Sequence, residues 1–178
     1  MKGDADCGGV LTYNYISGEP VTGLQDGRPL VVRSANDKFN LANFIRANLY
    51  ATVAVLKLGN DILFNEEKVK VDRITGHGGL FKTKGVGQRV LAAALNSPIS
   101  VMETAGEGGA WGIALLAGYL VNNTDERNLA DYLENVVFAG NTGTEVSPTA
   151  EEVEGFNRYM ETYKAGLAIE KAAVEYKA

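Results

Sequence analysis

The sequence predicts an α/β domain in which helices flank a sheet whose central strands run parallel. Three observations support this. Strand-like segments alternate with segments of helical periodicity between residues 9 and 121. Two of the strand-like segments run into glycine-rich turns that directly precede helices. The last third of the chain has a helical pattern, which adds a helical C-terminal extension to the α/β unit.

Composition limits the class of protein. A chain of 178 residues with 46% hydrophobic and 22% charged residues is typical of one folded domain, which we place at 1–178. The net charge of −5 argues against a nucleic-acid surface. The longest apolar run, Ala110–Val121, is too short to cross a bilayer, and we find no secretory signal. Because Cys7 and His77 are single residues of their kinds, we expect a cytoplasmic protein without a metal site.

The first elements are two strands and a long helix. Gly9–Ile16 and Leu30–Arg33 are rich in β-branched and aromatic residues, which favours strands. From residue 41 apolar residues recur at intervals of three and four, which predicts a helix with one face toward the core. The residues expected on that face are Leu41, Phe44, Ile45, Leu49, Val53 and Leu56.

The middle of the chain twice repeats the order of strand, glycine-rich turn and helix. Val69–Ile74 and Ile99–Glu103 are predicted strands. Residues 84–95 form the first predicted helix, and residues 107–121, which are apolar nearly all round, form a helix that we expect to be buried. The core-facing residues expected in the first of these helices are Val86, Val90, Leu91 and Leu95.

The C-terminal third is predicted to hold two helices. Thr124 is a plausible N-cap for a helix that carries Leu129, Leu133 and Val137. Thr149 and Glu152 have the spacing of a capping box and open the second helix. One apolar stripe follows along that helix, made of Val153, Phe156, Met160, Tyr163, Leu167 and Val174.

The two glycine-rich turns are the strongest functional signal from the residues alone. They are GHGGLFKTKGVGQR at 76–89 and AGEGGAWG at 105–112. Backbone amides without side chains can approach phosphate or ribose closely, although such glycines can also serve only a tight turn. Neither stretch has the P-loop or the G-x-G-x-x-G spacing. Both turns would lie side by side at one end of a parallel sheet, where α/β proteins bind ligands.

Four linked segments resemble the FGGY family of carbohydrate kinases. The glycine stretch with VLAAALNSPISV is similar to the family's G-G-G-x-[KA]-S-x-x-W-x-Q-x-x-A-D-x-x-x-x-P-V. ETAGEGGAWGIALLAGYL resembles its E-x-x-E-A-G-A-L-G-A-A-x-L-A-G helix. YNYISGEP resembles its P-Y-L-S-G-E-R loop, and NLANFIRANLYATVAVL its H-x-x-R-A-x-x-E-G helix. The segments follow the order of the family from about Gly8 to Leu167.

The resemblance implies the C-terminal lobe of a kinase with a ribonuclease H-like, actin-like ATPase fold. It also implies an adenosine site, for which the candidate residues are Gly78, Gly79, Leu80, Phe81, Thr83, Gly108 and Gly109. Leu80 and Phe81 depart from the small residues of the family, which implies a narrower or differently stacked adenine pocket. Pro20 and Tyr50 replace an arginine and an acidic residue of the family, so the choice of sugar stays open.

The same resemblance implies ATP with Mg²⁺ as the phosphoryl donor and a sugar or polyol as the acceptor. We favour ketoses such as ribulose or xylulose from the YNYISGEP loop, with glycerol, gluconate and fuculose open. The family's phosphate loop and catalytic aspartate belong to an N-terminal sugar-binding lobe that these residues do not match, so we assign no catalytic residue. Asp4, Asp6 and Asp26 are acidic but are expected to be turn or surface residues.

Alternatives remain at this stage. A non-catalytic nucleotide-binding or assembly module fits the same residues, whereas a dinucleotide-binding domain has only Glu103 as a ribose ligand and the wrong loop spacing. His77 is expected to stabilise its loop more readily than to touch a ligand, and Trp111 to lie in the core. The strand at 9–16, as an unpaired edge, predicts a homo-oligomer.

Overall fold

The chain forms two compact units in a computed structural model that describes residues 2–103, 108–123, 126–140 and 143–176. Unit 1 comprises Met1–Asp72, Arg89–Ser97 and Ser147–Ala178, and unit 2 comprises Arg73–Gln88 and Pro98–Val146. Strands and helices alternate along the chain as predicted. The fold is a mixed α/β fold in which helices flank a mixed sheet.

Unit 1 holds a small antiparallel sheet and two long helices. Strand β1 (Leu11–Tyr13) pairs with β2 (Leu30–Val32), with Thr12 opposite Val31. Helix α1 (Leu41–Asp61) and helix α5 (Ala150–Glu175) both pack against β1. All three β1 side chains are therefore buried. The strand that was predicted to be an unpaired edge thus pairs with β2 on one side, and helices of the same unit cover its side chains.

The buried face of α1 differs from the predicted one. Of the predicted inward residues only Val53 is buried, while Leu41 is 75% exposed and Ile45 is 50% exposed. The residues that the helix buries are Asn43, Arg46, Ala47, Tyr50, Ala51, Val53 and Ala54. Small alanines let neighbouring elements approach this face, and polar groups of Asn43 and Arg46 bond to the N-terminal segment. Half of the predicted apolar stripe, Leu41, Ile45 and Leu56, is therefore exposed, and only Val53 belongs to the core.

Helix α5 confirms the capping box. The Glu152 backbone N–H donates to Thr149 Oγ1 at 3.2 Å, and the Thr149 N–H donates to the Glu152 carboxylate at 3.1 Å. Its buried side carries Phe156, Met160 and Tyr163, as the stripe predicts. The Tyr13 hydroxyl donates to the Tyr163 carbonyl at 2.7 Å, which ties the helix to β1.

Unit 2 holds a three-stranded mixed sheet in the order β3 (Ile74–Gly76), β4 (Ile99–Val101), β5 (Thr144–Val146). Strands β3 and β4 are parallel, as predicted, and β5 is antiparallel to β4. The sequence pattern did not predict β5. The buried Gln88 side chain donates to the Ile99 carbonyl at 3.1 Å and to the Thr144 carbonyl at 2.8 Å.

Helix α2 (Val86–Leu95) follows β3, with Val90 and Leu91 buried as predicted and Val86 and Leu95 only partly covered. Val69 and Val71 are exposed and precede β3, so the predicted strand at 69–74 is realised only at its last residue. The other predicted strands form as shorter segments, since only three residues of each take part in pairing.

Helix α3 (Gly108–Asn122) is not buried, in contrast to the prediction. None of its residues is fully covered, and Ile113 and Leu120 are 69% and 81% exposed. The reason is that apolar composition identifies a helix able to be buried, whereas burial requires neighbours on every side. Only the face bearing Trp111 and Leu115 lines a cavity of unit 2.

The helix α4 (Leu129–Tyr132) continues as a wider turn of helix through Leu133–Val137. Its N-cap is Asn128, whose side chain accepts the Asp131 N–H at 2.9 Å. The expected cap Thr124 lies outside the described residues, as does Glu107.

Candidate functional site

The turn after β3 brings bare backbone to the carboxyl end of the parallel strands. Gly78 has φ +105°, a conformation that favours glycine, and Gly79–Lys82 form a short 3₁₀ helix. The Phe81 N–H donates to the Gly78 carbonyl at 3.1 Å, and the Val86 N–H donates to the Thr83 carbonyl at 3.2 Å. These bonds define the path from β3 into α2.

A cavity of about 330 Å³ lies at this end of unit 2, and its walls are almost entirely apolar. Four segments line it: the end of β3 with His77, the residue after β4, one face of α3, and the region around α4. The lining residues are Thr75, Gly76, His77, Met102, Gly108, Trp111, Gly112, Leu115, Leu116, Leu133 and Phe138. The volume is in the range of small-molecule sites.

Two aromatic rings form part of the cavity wall. Trp111 and Phe138 meet edge to face, with ring centroids 5.6 Å apart. Helical spacing places Gly108, Trp111 and Leu115 on the same face of α3. A wall of this kind suits a flat aromatic ligand, because aromatic rings gain from offset or edge contacts. Trp111, expected in the core, is half-buried and lies at the cavity.

Hydrogen-bonding side chains are few on this wall. Among the lining residues they are Thr75, His77 and Trp111. The His77 ring lies against the start of α3, with Nδ1 2.8 Å from the point that a Cβ on Gly108 would occupy. The loop-stabilising hydrogen bond expected for His77 is not formed with any residue that the structure describes.

The predicted adenosine residues occupy different places in unit 2. Gly108 lines the 330 Å³ cavity. Phe81 covers Gly76 and lines a second cavity of about 280 Å³ with Lys84, Gln88 and Glu103 among its walls. Leu80 packs on Gly87. Thr83 ends the 3₁₀ helix, Gly78 and Gly79 form its start, and Gly109 lies in the first turn of α3.

Three of the site glycines are not required by the packing of the described residues. A Cβ placed on Gly79, Gly109 or Gly112 would meet no described atom within 4 Å, and none of the three has a positive φ. Gly87, by contrast, lies tightly against Leu80. The open glycines therefore leave room beside the turn after β3 and beside the first turns of α3.

Pattern analysis missed most of the cavity wall. Met102 follows β4, while Leu133 and Phe138 come from the α4 region, far along the chain. The spacing of Trp111, Gly112 and Leu115 after Gly108 was a usable signal, because it is the spacing of one helix face. No signal in the sequence placed the α4 region beside that face.

Two classes of feature are not found among residues 2–103, 108–123, 126–140 and 143–176. No group of three acidic, histidine or cysteine side chains is placed to hold a metal ion. No helix in those ranges is long and apolar enough to cross a membrane.

Comparison with known proteins identifies the family. Residues 1–121 match the model of the FGGY family of carbohydrate kinases, C-terminal domain. The match covers more than half of the chain, so the chain belongs to this family. No curated protein matches the sequence.

Solved structures of similar fold agree with this membership. Xylulose kinase from Rhodospirillum rubrum superposes with a TM-score of 0.66 at 19% identity, over 98% of this chain and 33% of that one. Ligand-bound xylulose kinase from Lactobacillus acidophilus gives 0.69 at 18% identity, over 96% and 34%. Plasmodium falciparum glycerol kinase with ADP gives 0.62 at 20% identity, over 93% and 31%. The chain thus spans about a third of these kinases and has the actin-like fold of their lobe.

Proposed function

We propose that this chain is the adenosine-binding part of an ATP-dependent carbohydrate kinase, with the base in the 330 Å³ cavity of unit 2. The observation that carries the proposal is the set of open glycines, Gly79, Gly109 and Gly112. Gly79 and Gly109 lie in the first turns of their helices. Gly112 lies further inside α3, where glycine is disfavoured relative to alanine by about 0.5–1 kcal/mol, so its open space calls for a reason other than packing. Close approach of a ligand is such a reason.

The chemistry of the cavity favours adenine. Its wall is apolar with two aromatic rings, Trp111 and Phe138, against which a purine can pack. The ribose and phosphates would pass over the bare backbone of Gly78 and Gly79, where amides can approach anionic oxygens. In this arrangement the side chains that support the turn would be Leu80, Phe81 and Thr83. NAD, with its second nucleoside, has no matching second site in this proposal.

The reaction proposed for the whole kinase is direct in-line transfer of the ATP γ-phosphoryl group to a sugar or polyol hydroxyl. Such transfer depends on positioning and on stabilising charge, with Mg²⁺ neutralising the phosphates. We assign neither a Mg²⁺ ligand nor a general base to this chain. A ketose such as xylulose or ribulose is the favoured acceptor, and two xylulose kinases among the structural relatives are compatible with it. The cytoplasm, where ATP is available, is the proposed location.

Nucleotide binding tests the adenosine site. We expect weak ADP binding by calorimetry and no tighter binding of NAD. Gly79→Ala and Gly109→Ala are expected to lower ADP affinity at least tenfold, because the new methyl group would occupy the path of the ligand, while the melting temperature is unchanged or higher. The larger, charged side chain of Gly79→Asp is expected to abolish binding.

Gly59→Ala is the matched control. Gly59 lies in α1 of unit 1, and a Cβ there also meets no described atom within 4 Å. This variant should keep the ADP affinity of the parent protein. Equal ADP affinity in all of the alanine variants, or tighter binding of NAD than of ADP, would overturn the adenosine site.

A second experiment tests whether this chain alone can transfer a phosphoryl group to a sugar. An ADP-release assay with ketoses and polyols is expected to give no turnover above background for this chain alone, because no general base within reach of an acceptor is assigned here. Turnover on any sugar would show that the chain carries its own catalytic base. ADP binding without turnover supports the proposal, whereas absence of ADP binding argues for a non-catalytic assembly module.

A further inference from the structure

We propose that His77 is the residue that selects the base in the unit 2 cavity, by a hydrogen bond from its ring to the edge of adenine. The inference rests on the proposed function, since it concerns the same site. It goes beyond that function because it assigns base selectivity to a side chain, whereas the proposed function rests on glycines of the same turns.

The position of the ring is set by the first residue of α3. His77 follows Gly76, the last residue of β3, and its Nδ1 lies 2.8 Å from where a Cβ of Gly108 would stand. That distance is shorter than real Cβ contacts, so Gly108 provides the space that the ring fills. The absence of a side chain at Gly108 thus lets the imidazole lie at the cavity wall.

The ring has hydrogen-bonding capacity that the described protein does not use. A neutral imidazole offers one donor and one acceptor. Because Nδ1 is the ring nitrogen that lies against Gly108, we assign the contact with the ligand to Nε2. The other polar side chains of the wall are Thr75 and Trp111, and an indole only donates. His77 is also the one titratable group among the residues that line this cavity.

The scarcity of polar groups favours adenine over guanine. Guanine carries a carbonyl, a ring N–H and an amino group on one edge, and each group left unpaired in an apolar site weakens binding. Adenine carries fewer groups to satisfy, and one nitrogen of His77 can pair with one of them. Removing that nitrogen should therefore weaken ADP more than GDP.

Calorimetric titration with ADP and with GDP tests the inference. We expect the parent protein to bind ADP more tightly than GDP. His77→Phe keeps a flat ring against Gly108 but has no nitrogen, and it should lose up to about tenfold in ADP affinity, the value of one hydrogen bond. The ratio of ADP affinity to GDP affinity should fall by a similar factor. His77→Ala should show the same loss, with the melting temperatures checking that both variants are folded.

Gly108→Ala provides a coupling test. Its methyl group should displace the ring and lower ADP affinity in the parent protein, yet add no further loss in His77→Ala, because the ring is then absent. Gly59→Ala, in α1 of unit 1, is the control outside the cavity and should keep both the ADP affinity and the ADP-to-GDP affinity ratio of the parent protein.

The outcomes separate the two proposals. If the parent protein binds ADP and His77→Phe binds it equally well with an unchanged preference, the role of His77 is overturned while the adenosine site stands. If Gly108→Ala lowers ADP affinity as much in the His77→Ala background as in the parent protein, the effect of Gly108 does not act through the imidazole ring. The inference then fails. If the parent binds neither ADP nor GDP, both the adenosine site and the role of His77 are wrong.

Discussion

At the residue scale, Arg46 shows how a buried charge is accommodated in unit 1. Its side chain is 5% exposed. Nε and Nη2 donate to the Tyr50 hydroxyl at 3.0 and 2.9 Å, and Nη1 donates to the Gly3 carbonyl at 3.0 Å. The Tyr50 hydroxyl donates in turn to the Ala5 carbonyl at 3.1 Å. Tyr50 is therefore the neutral hydrogen-bond partner of the buried guanidinium.

This arrangement predicts a marked cost for Tyr50→Phe. The change removes one oxygen that accepts two hydrogen bonds from a buried cation, and leaving such donors unpaired costs about 1–3 kcal/mol or more. Urea denaturation followed by circular dichroism would measure the loss in the free energy of unfolding. Tyr176→Phe is the control, because Tyr176 is exposed, and it should change that free energy by less than about 0.5 kcal/mol. Similar stability of both variants would show that Arg46 does not depend on the phenol.

At the element scale, α5 is held in unit 1 through close approach as well as through its capping box. Gly155 and Gly166 interrupt the buried side of the helix. A Cβ on Gly155 would lie 2.5 Å from the Ala5 carbonyl oxygen, and one on Gly166 would collide with the Tyr13 hydroxyl. The N-terminal segment and β1 can therefore pack directly on the backbone of the helix.

Gly155→Ala is expected to destabilise unit 1, although alanine is the better helix former. The methyl group would meet backbone of the N-terminal segment, and overpacking of this kind costs about 1–3 kcal/mol. Gly59→Ala, in the open part of α1, should instead be neutral or stabilise by up to about 1 kcal/mol. The urea midpoint of Gly155→Ala should thus fall below that of the parent, while the midpoint of Gly59→Ala should stay the same or rise. A stabilised Gly155→Ala would refute the tight contact with Ala5.

At the scale of the whole molecule, unit 1 concentrates buried groups that resist ionisation. Burial raises the pKa of the Cys7 thiol to about 12. Burial is likewise the main cause that raises the pKa of four fully buried phenols above the ordinary value of 10.0, at Tyr13, Tyr50, Tyr159 and Tyr163. In each case the folded state favours the neutral form.

These shifts predict loss of stability at alkaline pH. Because the pKa of each group is higher in the folded state than in the unfolded state, its contribution is fully present below the unfolded pKa, from 9.0 for Cys7 and 10.0 for the tyrosines. The contribution is lost as pH rises from there through the raised folded values. Urea unfolding at pH 7, 9, 10 and 11 should show a free energy of unfolding that is unchanged to about pH 9 and then falls.

Absorbance at 295 nm provides the second measurement for the alkaline transition. The buried phenols should ionise together with the loss of the circular dichroism signal, at pH values above the ordinary phenol pKa of 10.0. Ionisation of every tyrosine near its ordinary pKa, with the helices intact, would contradict the burial of this cluster.

The sequence by itself determined the order of strands and helices except for β5, the capping box at Thr149, the parallel pair β3–β4 and membership of the FGGY family. These features depend on local spacing and on linked motifs, which can be identified from the order of residues alone. It also placed the glycine turns beside a ligand site as a prediction, to which the open space at Gly79 and Gly109 now gives a physical basis.

Tertiary structure alone decided which faces are buried and which residues meet. Helical periodicity located α1, but the buried face is the one whose small and polar residues match the N-terminal segment and β1, so Leu41 and Ile45 lie outside. Apolar composition located α3, but too few elements of unit 2 surround it to bury it. The cavity wall joins His77 to Phe138 because separate segments converge there, and burial depends on such neighbours rather than on the pattern of any one segment.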